Sequence, residues 1–213
     1  MKKVISFDLD GTLVDARYGD MVWNHGIPTE YAKAYNMPFA NARSLVRQQY
    51  ESVGDGDILW YEIRHWLARF SLDVSASELL DRYEDHIELC PDAREVLTRL
   101  SERYTLIIAS NAARIFVEKE LIKTGLSGVF SFIVSATTDW GMIKKESDFF
   151  RRLCTEMGVN PVDMVHVGDH AVFDHDIPSG IGIESYYIDG NDPELSRTRQ
   201  TIRGLKDLLG IFA

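Results

Sequence analysis

Near its amino terminus the chain reads Val4-Ile5-Ser6-Phe7-Asp8-Leu9-Asp10-Gly11-Thr12-Leu13, a short apolar run that ends in two aspartates and a glycine. The run predicts a buried β-strand, and the Asp-Gly pair predicts a turn directly after it. Side chains two apart in an extended segment point to the same side, so Asp8 and Asp10 are expected to face one ligand together. An acidic turn without chemistry, with Thr12 as a helix cap, would produce the same pattern. The meaning of the pair therefore depends on the rest of the chain.

Composition narrows the class of ligand. The chain has 213 residues, of which 45% are hydrophobic and 26% charged, as in ordinary globular proteins with a sizeable core. Its 23 basic and 33 acidic residues give a net charge of -10, which argues against nucleic acid or an anionic membrane surface as a partner. A phosphorylated substrate would be repelled at long range, so it needs a local cation and a divalent metal.

Cysteine usage and the amino terminus indicate the compartment. Cys90 and Cys154 lie far apart and form neither a disulfide framework nor a zinc motif. The apolar run before Asp8 is too short for a secretory signal or a membrane span. We therefore expect a cytoplasmic protein with two free thiols.

After Asp15 helical periodicity replaces the strand pattern. Helices are predicted over residues 29–36, 41–53, 58–70 and 77–89, and together they form a four-helix insert. An apolar stripe at helical spacing is assigned to the core of that bundle: Trp60, Ile63, Leu67 and Phe70.

From Pro91 onward helices and apolar strands alternate. Strands are predicted over residues 104–109, 130–134, 164–167 and 186–188, and helices over 92–103, 113–123 and 147–157. Apolar strands separated by amphipathic helices indicate a doubly wound parallel sheet covered on both faces, with functional groups beyond the carboxyl ends of the strands. A last helix over residues 195–213 is predicted to leave three arginines in solvent: Arg197, Arg199 and Arg203.

Two polar segments follow predicted strands. Ser110 and Asn111 stand between a strand and a helix, where free backbone amides and a hydroxyl favour an anion, although both residue types also cap helices without a ligand. Further on, Lys144 and Lys145 precede a helix start, a position that disfavours cations unless a phosphate lies within reach.

The third segment, Met164-Val165-His166-Val167-Gly168-Asp169-His170-Ala171-Val172-Phe173-Asp174, repeats the order of strand, glycine and acid. Asp169 would join Asp8 in holding Mg²⁺, which prefers oxygen ligands. An acidic loop is the competing interpretation. The histidines His166, His170 and His175 also raise the hypothesis of a transition-metal site, and His170 is alternatively a residue that reaches substrate or solvent.

In this order, the segments Asp-x-Asp-Gly-Thr, Ser-Asn, Lys and Gly-Asp-x-x-x-x-Asp resemble the motifs of the haloacid dehalogenase superfamily over almost the whole chain. The resemblance implies a Rossmann-like α/β core formed by residues 1–15 and 90–213, with a helical cap domain inserted at residues 16–89. The superfamily's Gly-x-x-Lys-Pro pattern, aligned on Gly141, assigns the functional lysine to Lys144. Lys145 stands where proline is usual and is the second choice.

The resemblance also implies roles for individual residues. Asp8 would be the nucleophile that forms an aspartyl phosphate, and Asp10 would be the acid and base, which requires a raised pKa. Lys144 would act in catalysis and bind phosphate. The remaining assignments are phosphate binding by Thr12, Ser110 and Asn111, Mg²⁺ binding by Asp8, Asp10 and Asp169, and support of the lysine or the metal by Asp174.

Asp10 separates the branches of the superfamily, because dehalogenases and phosphonoacetaldehyde hydrolases lack it and the latter need a cap lysine. Lys33 is the only lysine in the sequence of the insert. A phosphatase for a small phosphorylated metabolite is therefore the prediction, with a phosphosugar mutase and a catalytically silent binding protein as alternatives. We expect a monomer or a homodimer. The candidate specificity loops are residues 18–25 and 54–57, of which the second is more simply explained as a turn between helices. Four arginines are candidate anion contacts, although arginines on helices are usually solvated: Arg17, Arg43, Arg47 and Arg64.

Overall fold

The structure, a computed structural model, describes residues 2–144, 146–188 and 199–213. Its strands are β1 (Val4–Phe7), β2 (Thr105–Ser110), β3 (Phe132–Ser135), β4 (Met164–Gly168), β5 (Glu184–Ile188) and β6 (Thr201–Ile202). They form one six-stranded sheet in the order β3-β2-β1-β4-β5-β6, with every neighbouring pair parallel. The parallel sheet predicted from the alternating pattern is confirmed.

Helices cover the sheet and fill the insert. They are α1 (Arg17–Met21), α2 (Ile27–Ala34), α3 (Phe39–Val53), α4 (Ile63–Arg69), α5 (Ala76–Asp81), α6 (Ala93–Ser101), α7 (Arg114–Thr124), α8 (Ala136–Trp140), α9 (Ser147–Glu156), α10 (Ile177–Gly180) and α11 (Asp207–Phe212). Short 3₁₀ turns span Ile58–Tyr61, Glu84–His86 and Pro161–Asp163, and π-helical turns span Val22–Gly26 and Ala171–Asp176.

Strand β1 is central and buried on both faces, which explains its unbroken apolar sequence. Ile5 and Phe7 pack into the larger hydrophobic core, while Val4 packs on the other side of the sheet with Ile107 and Met164. The chain runs from β1 outward to β2 and β3 and then returns to β4 on the other side of β1. The carboxyl end of β1 is therefore the topological switch point, where parallel sheets bind ligands.

The helical insert leaves and rejoins the sheet through two adjacent segments, residues 13–15 and 88–90. The amide of Asp15 donates to the carbonyl of Glu88 (2.8 Å), and the amide of Cys90 donates to the carbonyl of Leu13 (2.9 Å). These paired linkers lie at the predicted boundaries of the cap. The division into a core and a cap domain itself remains a prediction.

The insert differs in detail from four regular helices. The predicted helix over residues 58–70 is a 3₁₀ turn followed by α4, because Glu62 between them has extended backbone angles. Ile63, Leu67 and Phe70 are buried as predicted, whereas Trp60 lies on the turn and is only half-buried. Trp60 nevertheless packs against the same hydrophobic core, so its assignment to that core is confirmed in part.

The carboxyl-terminal segment also departs from the prediction. A two-residue strand, β6, precedes a short helix, α11, where one long helix was expected. Arg199 is not free in solvent, because its guanidinium binds both carboxylate oxygens of Asp176 at 2.8 and 2.6 Å. Arg203 is exposed as predicted, and Arg197 lies outside the described residues. Among the described helices none combines the length and apolar character needed to cross a lipid bilayer.

Candidate active site

The turn after β1 is built by the backbone. The amide of Asp8 donates to the carbonyl of Val167 in β4 (2.8 Å), which extends the sheet to the first aspartate. Gly11 has a φ of +75°, and a Cβ at this position would lie 2.1 Å from Oδ2 of Asp169. A side chain is therefore excluded at residue 11 because it would occupy the space of the Asp169 carboxylate.

Lys144 reaches the first aspartate from the loop before α9. Its buried Nζ donates to Oδ1 of Asp8 (2.5 Å) and to Oδ1 of Asp174 (2.7 Å). Burial lowers the pKa of this lysine, but the Asp174 and Asp8 carboxylates raise it by more, so it stays protonated. The first choice for the functional lysine thus lies beside the predicted nucleophile. Lys145, the second choice, is outside the described residues.

Asp174 is held on several sides. Besides Lys144, it contacts Nε2 of His166 through Oδ1 (3.0 Å) and accepts from the amide of His170 through Oδ2 (3.0 Å). Burial raises the pKa of Asp174, whereas Lys144 and His166 lower it below its usual range. Its contact with Lys144 is the arrangement expected if this acid supports the lysine.

The histidines of this segment make other contacts. His166 is enclosed between Ser6 and Asp174, and burial lowers its pKa, so it is neutral. His170 stacks on Phe173, and its Nδ1 accepts from the Phe173 amide. His175 contacts Asp176. Within the described residues, the group of side chains able to share a metal contains no histidine, so the transition-metal hypothesis receives no support.

That group consists of Asp8, Asp169 and Asp174, whose ligand oxygens lie within 4.8 Å of one another. Three carboxylates face a single ammonium, that of Lys144. Burial together with Asp174 and Asp169 raises the pKa of Asp8, and burial together with Asp174 raises the pKa of Asp169 to about 6. This excess of negative charge and the all-oxygen donor set fit a hard divalent cation. The Asp10 carboxylate, a predicted metal ligand, is not in the group.

The predicted phosphate-binding residues divide into two sets. Ser110 and Asn111 line the cavity beside Asp8. The Ser110 hydroxyl accepts from the amide of Ala112 (3.1 Å), and Oδ1 of Asn111 accepts from the amide of Lys144 (2.8 Å), which fixes the lysine loop. Thr12 is buried and does not line the cavity, and its hydroxyl finds no partner among the described residues.

Asp10 has a buried neighbour that the sequence analysis missed, Glu120 of α7. Both residues have raised pKa values, chiefly because of burial, and each carboxyl affects the pKa of the other. No donor from the described residues reaches the Glu120 oxygens, so the pair can form a hydrogen bond only when one carboxyl is protonated. A helical-spacing signal was available, because Glu120 falls on the buried face of α7 defined by Phe116, Val117 and Thr124.

A cavity of about 630 Å³ extends from these carboxylates to the insert. Of the predicted specificity loops, residues 18–25 contribute to its lining and residues 54–57 do not. The latter instead orient the neighbouring turn, since Asp57 accepts from the amide of Leu59 and the carbonyl of Asp55 accepts from the Tyr61 hydroxyl. Of the candidate arginines, Arg43 and Arg47 line the cavity, but Arg17 and Arg64 are not part of its wall.

The comparisons with known proteins agree with this geometry. The model of the haloacid dehalogenase-like hydrolase family matches residues 2–179. The chain belongs to the haloacid dehalogenase-like hydrolases. The family resemblance inferred from the four motifs is thereby confirmed.

Three relatives illustrate the range within this hydrolase family. A solved haloacid dehalogenase-type phosphatase from Thermococcus onnurineus is 25% identical, with a TM-score of 0.86 over 99% of this chain and 97% of that one. The phosphoglycolate phosphatase of Yersinia pestis is 30% identical over 78% of this chain and 72% of its own length. The GMP/IMP nucleotidase YrfG of Escherichia coli is 23% identical over 83% of this chain and 79% of its own length.

Proposed function

We propose that this hydrolase is a Mg²⁺-dependent phosphoric monoester hydrolase that acts on a small phosphorylated molecule through an aspartyl phosphate. One observation carries the proposal: Asp8, at the carboxyl end of the central strand, contacts a buried lysine and lies beside Asp169 at the head of a cavity. The names of the relatives, a phosphoglycolate phosphatase and a nucleotidase, support a phosphorylated substrate of small size.

In the first step Asp8 attacks phosphorus, so a bond forms between its carboxylate oxygen and phosphorus while the bond to the substrate's alcohol oxygen breaks. The Lys144 ammonium offsets the repulsion between this carboxylate and the phosphoryl oxygens. Asp10 gives its proton to the departing alkoxide. The raised pKa of Asp10, caused first by burial, favours the protonated form that this step needs.

In the second step water attacks the phosphorus of the aspartyl phosphate. Asp10, now ionised, accepts a proton from that water, and the bond between phosphorus and the Asp8 oxygen breaks. Inorganic phosphate leaves, and both aspartates return to their first state. Ser110 and Asn111 line the cavity where the phosphoryl oxygens would lie in both steps.

Mg²⁺ would be held by Asp8 and Asp169, the predicted ligands that the fold brings together, with Asp174 next to them. When bound, it supplies positive charge that stabilises the transferring phosphoryl group. We propose that the Asp10 carboxyl acts as the acid and base and does not bind the metal.

The proposal is tested with p-nitrophenyl phosphate and the purified protein, with and without Mg²⁺. We expect turnover that chelation abolishes and Mg²⁺ restores. Asp8→Asn should lower kcat by at least about a thousandfold, because the nucleophile is lost. Asp148→Asn, which changes an exposed aspartate of α9, is the matched control and should retain full activity.

Acid quenching during turnover should trap phosphate on the wild-type chain but not on Asp8→Asn. Undiminished turnover in Asp8→Asn would refute the nucleophile assignment. Absence of turnover with any phosphoester would favour the silent binding protein, and transfer of phosphate within a sugar phosphate would favour the mutase.

A further inference from the structure

The insert side of the cavity is lined by aromatic rings. Trp23 and Trp60 come from the insert, and Phe116 comes from α7 of the sheet domain. Both tryptophans are only half-buried, so part of each indole borders the cavity instead of core atoms. A volume of about 630 Å³ lies within the range of roughly 300–1,000 Å³ that is typical of pockets for ligands of drug-like size. A short aliphatic alcohol would leave these rings uncovered.

Neighbouring contacts hold the rings in place. Trp23 stacks on Phe116 with centroids 5.6 Å apart and planes 11° from parallel, and Tyr50 meets its edge at 5.9 Å. Tyr50 also lies 6.2 Å from Trp60, and the carbonyl of Trp60 accepts from Nε1 of Trp66 (3.3 Å). The rings are therefore preorganised, which reduces the entropy lost when a flat ligand binds.

Charged and amide side chains share this end of the cavity with the rings: Asp20, Asn24, Arg43, Arg47 and Glu51. Nδ2 of Asn24 donates to Oδ1 of Asp20 (2.8 Å), so these two side chains form one polar edge. Arg43 is exposed and makes no ion pair with any described residue, whereas Arg47 is already paired with Glu51. Aromatic rings flanked by hydrogen-bonding side chains can bind a planar heterocycle, because the rings stack on its faces while the polar groups meet its edge.

We propose that the alcohol part of the substrate carries a planar, hydrogen-bonding ring of nucleoside size, and that Trp23 and Trp60 bind this ring. The inference rests on the proposed phosphomonoesterase function. It names Trp60 and Trp23 as specificity-determining residues, because they recognise the leaving group and take no part in bond breaking.

The test compares adenosine 5′-monophosphate with ribose 5-phosphate, which share the leaving 5′ oxygen and differ at C1 of the ribose, where the nucleotide carries adenine and ribose 5-phosphate a hydroxyl group. We expect kcat/KM to be at least about tenfold higher for the nucleotide, the size of effect that stacking of one base provides. Trp60→Ala should remove about tenfold more of kcat/KM for the nucleotide than for ribose 5-phosphate. Leu45→Ala, an exposed position of α3 away from the cavity, should leave both values unchanged.

If Trp60→Ala does not fold, Trp60→Leu replaces it in the test, because leucine keeps part of the apolar volume. Circular dichroism shows whether each variant is folded. Calorimetric binding of the two ligands to Asp8→Asn separates recognition from chemistry, because this variant binds without turnover. Equal affinity and equal kcat/KM for the two ligands would overturn the ring assignment and leave the phosphatase proposal intact. Tighter nucleotide binding to a chain that hydrolyses nothing would overturn the phosphatase proposal but support the ring site.

Discussion

Glu120 is an acid in an environment that disfavours its charged form. It is fully buried, its oxygens have no hydrogen-bond donor among the described residues, and Asp10 is the neighbour with the largest effect on its pKa. Burial first, and then the charge of Asp10, raises its pKa well above the ordinary value of 4.5. Folding therefore favours the protonated form of this carboxyl.

This protonation has a measurable effect on stability. As pH rises above about 4.5, the unfolded chain loses the Glu120 proton while the folded chain keeps it, so the free energy of unfolding falls. Glu120→Gln does not titrate. We expect the stability of the variant relative to wild type to increase from pH 5 to pH 8, by at most about 1.4 kcal/mol per pH unit.

Urea unfolding at several pH values measures this difference. Glu118→Gln, at an exposed position of the same helix, is the control and should show no such trend. A stability difference between Glu120→Gln and wild type that stays constant from pH 5 to pH 8 would contradict the protonated state.

Among the elements, α7 illustrates what the sequence reveals and what it obscures. An acid, Glu120, lies on its buried face, and an apolar residue, Ile122, is 73% exposed. The sequence of this helix therefore shows no clear apolar stripe. The strands around it were predictable because both faces are buried and their sequences are continuous apolar runs. Strand β6 was not, because two residues are too few to display a period.

The same contrast holds within the site. Asp8 and Asp169 were located from sequence because each directly follows a strand and all strands end at one edge of the sheet, whereas Lys144 and Asp174 were assigned from the resemblance to the superfamily's motifs. Trp60 was expected on the same helix as Ile63 and Leu67, because apolar spacing continues across Glu62, but the backbone leaves the helix at Glu62. Helical spacing of apolar residues predicts one common face only if the helix is continuous. A single residue with extended backbone angles, such as Glu62, turns the residues before it to a different side.

The 3₁₀ turn that carries Trp60 and Tyr61 depends on Asp57, whose carboxylate accepts from the Leu59 amide (2.9 Å). Loss of such a cap costs about 1 kcal/mol. We expect Asp57→Ala to raise KM about fivefold, the equivalent of that energy, while kcat changes little. Steady-state kinetics with the preferred substrate measures this effect, and Asp73→Ala provides an exposed control in the same insert. An unchanged KM would show that the turn keeps its shape without the cap.

At the scale of the whole molecule, ion pairs join the insert to the sheet domain at the side of the cavity. Lys119 of α7 contacts Asp81 and Glu84, and Lys123 contacts Glu84 and Asp85. Trp23 on Phe116 and the Tyr61 hydroxyl near Nδ2 of Asn111 (3.5 Å) add aromatic and polar contacts. The insert is thus attached to the sheet domain by exposed ion pairs and also by buried apolar contacts, since the buried Tyr18 packs on Phe116 with ring centroids 5.8 Å apart.

Charge reversal tests this attachment. Lys119→Glu places a carboxylate against Asp81 and Glu84 and should raise KM several-fold at low salt, because repulsion pushes the insert away from the cavity. Adding Glu84→Lys should recover most of the loss, and the effect of the single variant should shrink as ionic strength rises. Kinetics of the wild type, both single variants and the double variant form the cycle. Lack of rescue would mean that the pairs do not control the position of the insert.

The paired linkers have a consequence for how this chain can vary. Since residues 13–15 and 88–90 hydrogen-bond side by side, the chain enters and leaves the insert at one place, as a loop whose two ends are already joined. The entropy of closing a loop grows only slowly with its length. We therefore expect that an insert of another length or helix number can be placed between Asp15 and Cys90 while the ends of the strands keep their geometry. Under the proposed assignment, in which Trp23 and Trp60 recognise the leaving group and Asp8 reacts, such an exchange would change the substrate without changing the reaction.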